Sequence, residues 1–197
     1  MEHCWYKLNI DCKNALRTNW SLPDPKGEEF GLWSERADKM FNKEWLDELM
    51  SHGIIVAESL IFYRAPNHNT NNAHIDIHRE HPKKISTFGL NMIIDGEDSV
   101  MTWYKLPQIN KAPHRGAAGT IYHNWPFSEL EEIDRGILGQ ELSIVRVGVP
   151  HGIIMNDRPR WCISARAGLL ENMWWKDIVT YMRDRNLLIE RTDVQKD

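Results

Sequence analysis

The chain has 197 residues, a formal net charge of −4 and a hydrophobic share of 42% that includes nine tryptophans. This length suits one domain with its own core, and the acidic balance disfavours a nucleic-acid-binding surface. Three cysteines without a C-x-x-C pair exclude a disulfide framework, and they fit packed thiols in a reducing cytoplasm.

The first predicted element is a short amphipathic helix over residues 41–51. Phe41, Trp45 and Leu49 recur at helical spacing, and Gly53 is a helix-stop signal. No stretch approaches the ~20 apolar residues of a membrane-spanning helix. The first residues also lack the basic start and apolar core of a signal peptide. We therefore expect a cytoplasmic protein without membrane contact.

Short β-rich runs separated by Pro, Gly, Asn and Asp occupy residues 54–168. Such a succession predicts a mainly β fold, a sandwich or jelly roll. A βαβ fold would need helices between the runs, and the intervals are too short for them. The runs are IIVAESLIFYR, AHIDIH, STFGLNMII, SVMTWYKL, AAGTIYHN, LSIVRVGV, GIIMN and RWCISARAG.

Two helical patterns are predicted in the second half of the chain. Glu131, Glu132 and Asp134 are interpreted as a solvated helix start. Beyond Gly168, the run ENMWWKDIVTYMRDRNLL predicts a terminal helix packed on the outside of the β-core. Its predicted apolar face consists of Met173, Trp174, Ile178, Tyr181 and Met182. The whole chain, residues 1–197, is thus predicted to be one domain, a β-core with helices from both ends.

The run His74-Ile75-Asp76 is the first candidate metal motif. Residues i and i+2 of a strand point to the same side, so His74 and Asp76 can offer a nitrogen and an oxygen to one ion. Two histidines and one carboxylate on one face of an iron ion are the ligand set of non-haem iron(II) oxygenases. Taken alone, an H-x-D triplet is a weak signal.

The run VRVGVPHGIIMNDRPRWCISAR supplies the missing partners. His151 is the candidate third ligand. Arg160 opens the next strand nine residues later, and Arg160, Cys162 and Ser164 alternate to one face of it. A guanidinium that enters a barrel beside small residues can bind a carboxylate with two parallel hydrogen bonds.

At these residues the chain resembles the iron(II)/2-oxoglutarate-dependent dioxygenase superfamily, in particular its prolyl-hydroxylase and aspartyl/asparaginyl-hydroxylase-like branches. The resemblance covers about residues 54–168 and implies a double-stranded β-helix, the cupin-like jelly roll. Halogenating relatives replace the carboxylate ligand with a small residue, so Asp76 favours hydroxylation. The matching residues are His74, Asp76, Pro150, His151, Ile153, Asn156, Pro159, Arg160 and Ser164.

The resemblance also implies roles for the individual residues. His74, Asp76 and His151 would hold Fe(II), and Arg160 would pair with the far carboxylate of the cosubstrate 2-oxoglutarate beside Ser164. Arg166, fifteen residues after His151, shares the predicted face of Arg160, and some branches take their cosubstrate arginine from about that position. Both arginines therefore remain candidates.

Two further residues are candidate cosubstrate contacts. Relatives often place a pocket tyrosine on the strand before the H-x-D motif, where this chain has Tyr63. Asn91 lies in the run STFGLNMII and can point into the barrel. A tyrosine buried for packing alone would also need a hydrogen-bond partner, so the sequence does not separate the two roles of Tyr63.

The sequence thus predicts an enzyme, a hydroxylase that uses Fe(II), 2-oxoglutarate and O2 and releases succinate and CO2, with ascorbate as a possible stimulant. The expected substrate is an amino-acid or peptide side chain or a small metabolite, and the oligomeric state stays open. One alternative is a cupin-like metalloenzyme that does not use 2-oxoglutarate, against which Arg160 argues. The other is a non-enzymatic jelly-roll module for binding or structure.

Overall fold

A computed structural model describes residues 3–77, 87–109, 112–115, 121–167 and 173–191, without the side chains of Ile77, Arg166 and Ala167. The described residues form two antiparallel sheets with few helices, which confirms the mainly β prediction.

The larger sheet has seven strands, and all its strand pairs are antiparallel. Its strands are β1 (Trp5–Leu8), β2 (Phe30–Arg36), β3 (Val56–Arg64), β5 (Phe88–Asp95), β10 (Ser143–Arg146), β12 (Arg160–Ala167) and β13 (Leu188–Ile189). They lie side by side in the order β13-β1-β10-β5-β12-β3-β2.

The smaller sheet has six strands and faces the first. Its strands are β4 (Asn72–Ile77), β6 (Val100–Tyr104), β7 (His114–Arg115), β8 (Ile121–Pro126), β9 (Glu132–Ile137) and β11 (His151–Ile154). Their order is β7-β8-β4-β11-β6-β9. Because β11 and β12 follow each other in the chain but belong to different sheets, the turn between them joins the two layers.

Helices flank the larger sheet, as predicted. They are α1 (Ala37–Met40), α2 (Lys43–Ser51) and α3 (Trp175–Asp184), and a short 3-10 helix spans Phe127–Glu129. In α2, Trp45 and Leu49 are buried, and Gly53 lies just beyond the helix with a φ of +76°. None of the helices in the described ranges is long and apolar enough to cross a membrane.

Two of the helix predictions are wrong in detail. Glu132 and Asp134 lie on β9, where the carboxylate of Asp134 accepts the Cys4 backbone N–H at 2.7 Å and pairs with Arg191 at 2.8 Å. In the terminal helix, Trp174 is 76% exposed, whereas Trp175 is buried. Trp174 is the N-cap, so the buried face of the helix contains Trp175 in place of the predicted Trp174.

The two faces of the larger sheet carry different clusters of buried side chains. The outer cluster packs Ile61 and Ile163 of the sheet against Met40, Leu49 and Ile178 of the helices. The inner cluster lies between the sheets, and it joins side chains of both layers. It includes Ile93, Val145 and Cys162 from the larger sheet and Met101, Trp103 and Ile153 from the smaller one.

Candidate metal centre

The local sequence of β4 separates its two faces. Ala73 and Ile75 are fully buried on one face, and His74 and Asp76 alternate with them onto the other. The side chains of His74 and Asp76, two residues apart, can then approach one point. In the structure, His74 Nε2 lies 3.6 Å from Asp76 Oδ1.

The pairing of β11 with β4 brings in the third residue. His151 is the register partner of His74, and the two imidazole rings have their centroids 4.4 Å apart. On its other side, His151 is paired with Trp103 of the inner cluster. Directly opposite residues of antiparallel strands point to the same face, so the three polar side chains face the space between the sheets.

His74, Asp76 and His151 form a candidate metal site. Each offers one ligand atom, and these atoms all lie within 4.8 Å of one another. Metal–ligand bonds of about 2.1 Å put adjacent ligands about 3 Å apart, so the three groups need to converge only slightly on an ion. Two imidazoles and one carboxylate are the donor set of the facial triad, which leaves further coordination positions open.

The backbone before β11 orients His151. Its Nδ1 lies 3.0 Å from the Val149 carbonyl oxygen, and the side chain is only 5% exposed. A carbonyl oxygen only accepts hydrogen bonds, so Nδ1 carries the proton and Nε2 keeps the lone pair that a metal needs. Such a partner on the second nitrogen is the usual way in which proteins fix a ligating histidine.

The triad is open to solvent on one side. The side chains of His74 and Asp76 are 34% and 23% exposed, whereas His151 is buried. Tyr122 on β8 pairs with Asp76, and its ring meets that of His74 edge-on at 6.1 Å. Tyr122 therefore borders the triad.

The opposite sheet presents Arg160 toward the same interior. Arg160 is 4% exposed, and its Nε donates a hydrogen bond of 2.9 Å to Ser99 Oγ. Arg160 lies two residues before Cys162 on β12, and residues at this spacing share a face of the sheet. Because Cys162 belongs to the inner cluster, both lie on the inner face. Burial of a guanidinium is costly unless an acceptor or an anion meets it.

Ser164 and Asn91 share that inner face. They are register partners on β12 and β5, and both are buried. In the part of the chain that the structure describes, the buried Oδ1 atom of Asn91 has no hydrogen-bond partner. A buried polar atom of this kind needs an explanation, and a ligand in the space between the sheets would supply one.

The structure does not bring Tyr63 to this site. Tyr63 is the register partner of Trp161, its ring packs on Trp161 at 4.7 Å, and it belongs with the outer cluster. Strand alternation explains this placement. Tyr63 lies between Phe62 and Arg64, which face inward, so its own side chain faces outward. For Arg166 the structure describes the backbone in β12 but not the side chain, so its predicted role lies outside the described residues.

Arg64 is the inward-facing residue that the sequence analysis missed. It ends β3 and is the register partner of Arg160. Burial, together with the positive charge of Arg160, lowers the pKa of Arg64 to about 10. Because Tyr63 was expected in the pocket, alternation turned Arg64 outward in the sequence analysis, and only the pairing of β3 with β12 places the two arginines side by side.

Two surface concavities of about 340 and 350 Å³ lie elsewhere, and no triad residue lines either one. The first is bordered by Asp11, Glu44 and Glu48, and the second by Arg146 and Trp174. Neither combines the convergent ligands and buried charge of the space between the sheets, so the triad remains the candidate functional site.

Comparison with known proteins adds little to this geometry. No protein-family model matches the chain, and no curated protein matches it. Among solved structures, the chain is similar to one described as the X-ray structure of E. coli ycfD, with 14% identity and a TM-score of 0.36. The match covers 78% of this chain and 38% of that chain.

Proposed function

We propose that this chain is an Fe(II)- and 2-oxoglutarate-dependent oxygenase with a double-stranded β-helix core, and that it hydroxylates a small metabolite or an amino-acid or peptide side chain. The observation that carries the proposal is the convergence of His74, Asp76 and His151 between two sheets. The buried cation of Arg160 on the facing sheet supports the use of a metal together with a carboxylate ligand.

The donor set fits iron(II). Imidazole and carboxylate ligands suit this metal, and three protein ligands on one side leave room for a chelating cosubstrate and oxygen. When bound, the iron and its cosubstrate would supply the oxidation of a substrate C–H bond, coupled to conversion of 2-oxoglutarate into succinate and CO2. Asp76 keeps the carboxylate position filled, which favours hydroxylation.

The protein's own residues would orient the ligands and exclude water. His151 is held in one tautomer by the Val149 carbonyl. Arg160 and Ser164 offer donors to a carboxylate, and Asn91 offers an amide beside them. Met101, Trp103 and Ile153 line the same interior and keep it apolar, which strengthens each polar contact made there.

Metal-dependent turnover of 2-oxoglutarate is the direct test. Succinate is measured after incubation with 2-oxoglutarate, Fe(II) and ascorbate, for wild type, His151→Ala and His123→Ala. His123 is a matched control, because it is also buried but alternates with Tyr122 and so points away from the triad. We expect wild type and His123→Ala to form succinate and His151→Ala to form none.

A second readout separates binding from catalysis. Anaerobic protein with Fe(II) is titrated with 2-oxoglutarate, and the difference spectrum of the metal chelate is recorded. Iron binding without any spectral response to 2-oxoglutarate would favour a cupin-like metalloenzyme that does not use this cosubstrate. No stoichiometric iron binding at all would contradict the proposal and favour a non-enzymatic module.

A further inference from the structure

Two arginines lie next to each other at one end of the interior. Arg64 on β3 and Arg160 on β12 are register partners, which puts their Cβ atoms about 5 Å apart on the same face of the sheet. Phe30 on β2 is the next partner in the same row, and the Arg64 guanidinium lies 5.4 Å from the centroid of its ring. The row therefore runs Phe30, Arg64, Arg160 across three strands.

The two guanidiniums differ in the hydrogen bonds that they form within the described ranges. Arg160 donates from Nε to Ser99 Oγ. The Nη1 atom of Arg64 is buried and has no hydrogen-bond partner among the described residues. Within the described ranges, neither arginine forms a salt bridge with a carboxylate.

Arg160 is buried and Arg64 is half-buried, and two such adjacent cations repel each other. The buried Nη1 donor of Arg64 is unfavourable as well if it meets no acceptor. One anion between them would remove both problems. A carboxylate is suited to this place, because its two oxygens accept hydrogen bonds from two planar guanidinium groups. The Phe30 ring holds the Arg64 guanidinium from the other side by a cation–π contact, so Arg64 is held in position before a ligand arrives.

We propose that Arg64 and Arg160 together form a two-guanidinium subsite for one carboxylate, with Arg64 as a second binding residue for the far carboxylate of the cosubstrate. The identity of the ligand rests on the proposed function, whereas the anion-binding character rests on the two arginines alone. Arg64 would favour ligands that carry a carboxylate at this end over analogues in which it is an amide or an ester.

The test compares Arg64→Met, Arg64→Lys and wild type, with Arg158→Met as the matched control. Methionine keeps much of the apolar stem but removes the charge, and lysine keeps the charge without the planar fork. Arg158 lies in the exposed turn before β12, so its loss leaves the interior unchanged. The ligands are 2-oxoglutarate with the anaerobic Fe(II) protein, and glutarate with the metal-free protein.

We expect Arg64→Met to weaken 2-oxoglutarate binding by about 10- to 100-fold, the usual effect of losing a charge-assisted hydrogen bond. Arg64→Lys is expected to lose less, and Arg158→Met to bind as wild type. Glutarate cannot chelate iron through a keto acid, so its thermal shift of the metal-free protein reports the arginine subsite alone. That shift is expected in wild type and absent in Arg64→Met.

The outcomes distinguish the two proposals. If wild type binds 2-oxoglutarate and Arg64→Met binds it equally well, Arg64 has no part in the subsite and the proposed function stands. If glutarate stabilises wild type but not Arg64→Met, while 2-oxoglutarate gives no spectrum with iron, the subsite stands and the oxygenase assignment fails. A wild-type protein that responds to neither ligand overturns both. If Arg64→Met does not fold, the same comparison is made with Arg64→Lys.

Discussion

The two faces of β12 show how one strand serves both stability and chemistry. On the outer face, Trp161 and Ile163 pack against the helix-covered cluster and have no polar atoms to satisfy apart from the indole nitrogen. On the inner face, Arg160 and Ser164 are as deeply buried but carry polar groups into the space between the sheets. Burial of the outer residues stabilises the fold, whereas burial of the inner ones is costly, a cost that the proposed ligand would offset.

The largest expected effect comes from the outer face. Ile163→Ala removes a fully buried side chain beside the helices, and we expect the free energy of unfolding to fall by about 2–5 kcal/mol. Urea unfolding of the metal-free protein measures it. The neighbouring Ser164→Ala, on the inner face, is expected to cost about 1 kcal/mol or less. Equal losses at the two positions would contradict the division between the faces.

The next effect tests the inner site without changing its shape. Asp76→Asn keeps the size of the side chain but removes the negative charge that an iron ion needs. We expect Fe(II) affinity to fall by about 100-fold, near 2.7 kcal/mol, in anaerobic equilibrium dialysis. The control is Asp157→Asn, an exposed carboxylate in the turn between β11 and β12. Unchanged affinity in Asp76→Asn would mean that iron binds elsewhere.

A smaller effect links the β5–β6 turn to the position of Arg160. Gly96 has a φ of +71°, and an added Cβ would lie 2.4 Å from the Pro159 carbonyl oxygen and 2.9 Å from Arg160 Cα. Gly96→Ala is expected to cost about 1–2 kcal/mol in backbone strain and to shift Arg160, which weakens 2-oxoglutarate binding.

Gly27→Ala is the matched control for this change. Gly27 also has a positive φ, of +81°, but open space surrounds the position of its Cβ. It therefore carries the same backbone strain without the contact to β12. Stability measured by urea unfolding is expected to fall in both variants, and cosubstrate binding only in Gly96→Ala. A parallel loss of binding in Gly27→Ala would show that strain alone, and not the displacement of Arg160, is responsible.

The last effect appears only at alkaline pH, as a pH dependence of stability at the inner cluster. Burial, reinforced by the negative charge of Asp134, raises the pKa of the Cys4 thiol from 9.0 to about 12. In the unfolded chain the thiol ionises at its ordinary pKa, so the unfolded state loses its proton first. The stabilising contribution of Cys4 is therefore complete below about pH 9 and is lost as the pH rises toward 12. We expect Cys4→Ala to make the free energy of unfolding less dependent on pH in this alkaline range, as measured by urea unfolding at several pH values. An unchanged slope would mean that other groups cause the alkaline loss of stability.

Much of the mainly β architecture was predictable, because alternating polarity and frequent turn residues have few other solutions. The strands that carry the triad and Arg160 all appear in the predicted runs. Strands β1, β2, β7, β9 and β13 were missed. Strands β1, β7 and β13 are short, β2 lies before the predicted β-rich region, and the acidic residues of β9 suggested a helix. In the structure, Asp134 is satisfied instead by Cys4 and Arg191, contacts far away in the sequence.

By itself, the sequence determined which residues could bind a metal and which could share a strand face. His74 with Asp76, and Arg160 with Ser164, follow from a period of two residues. Only the tertiary structure decided which strands lie next to each other. Strand pairing brings His151 to His74 across 77 positions, turns Tyr63 away from the interior and places Arg64 beside Arg160. The physical reason is that local alternation sets the direction of a side chain, whereas its neighbours depend on the register of strands distant in the sequence.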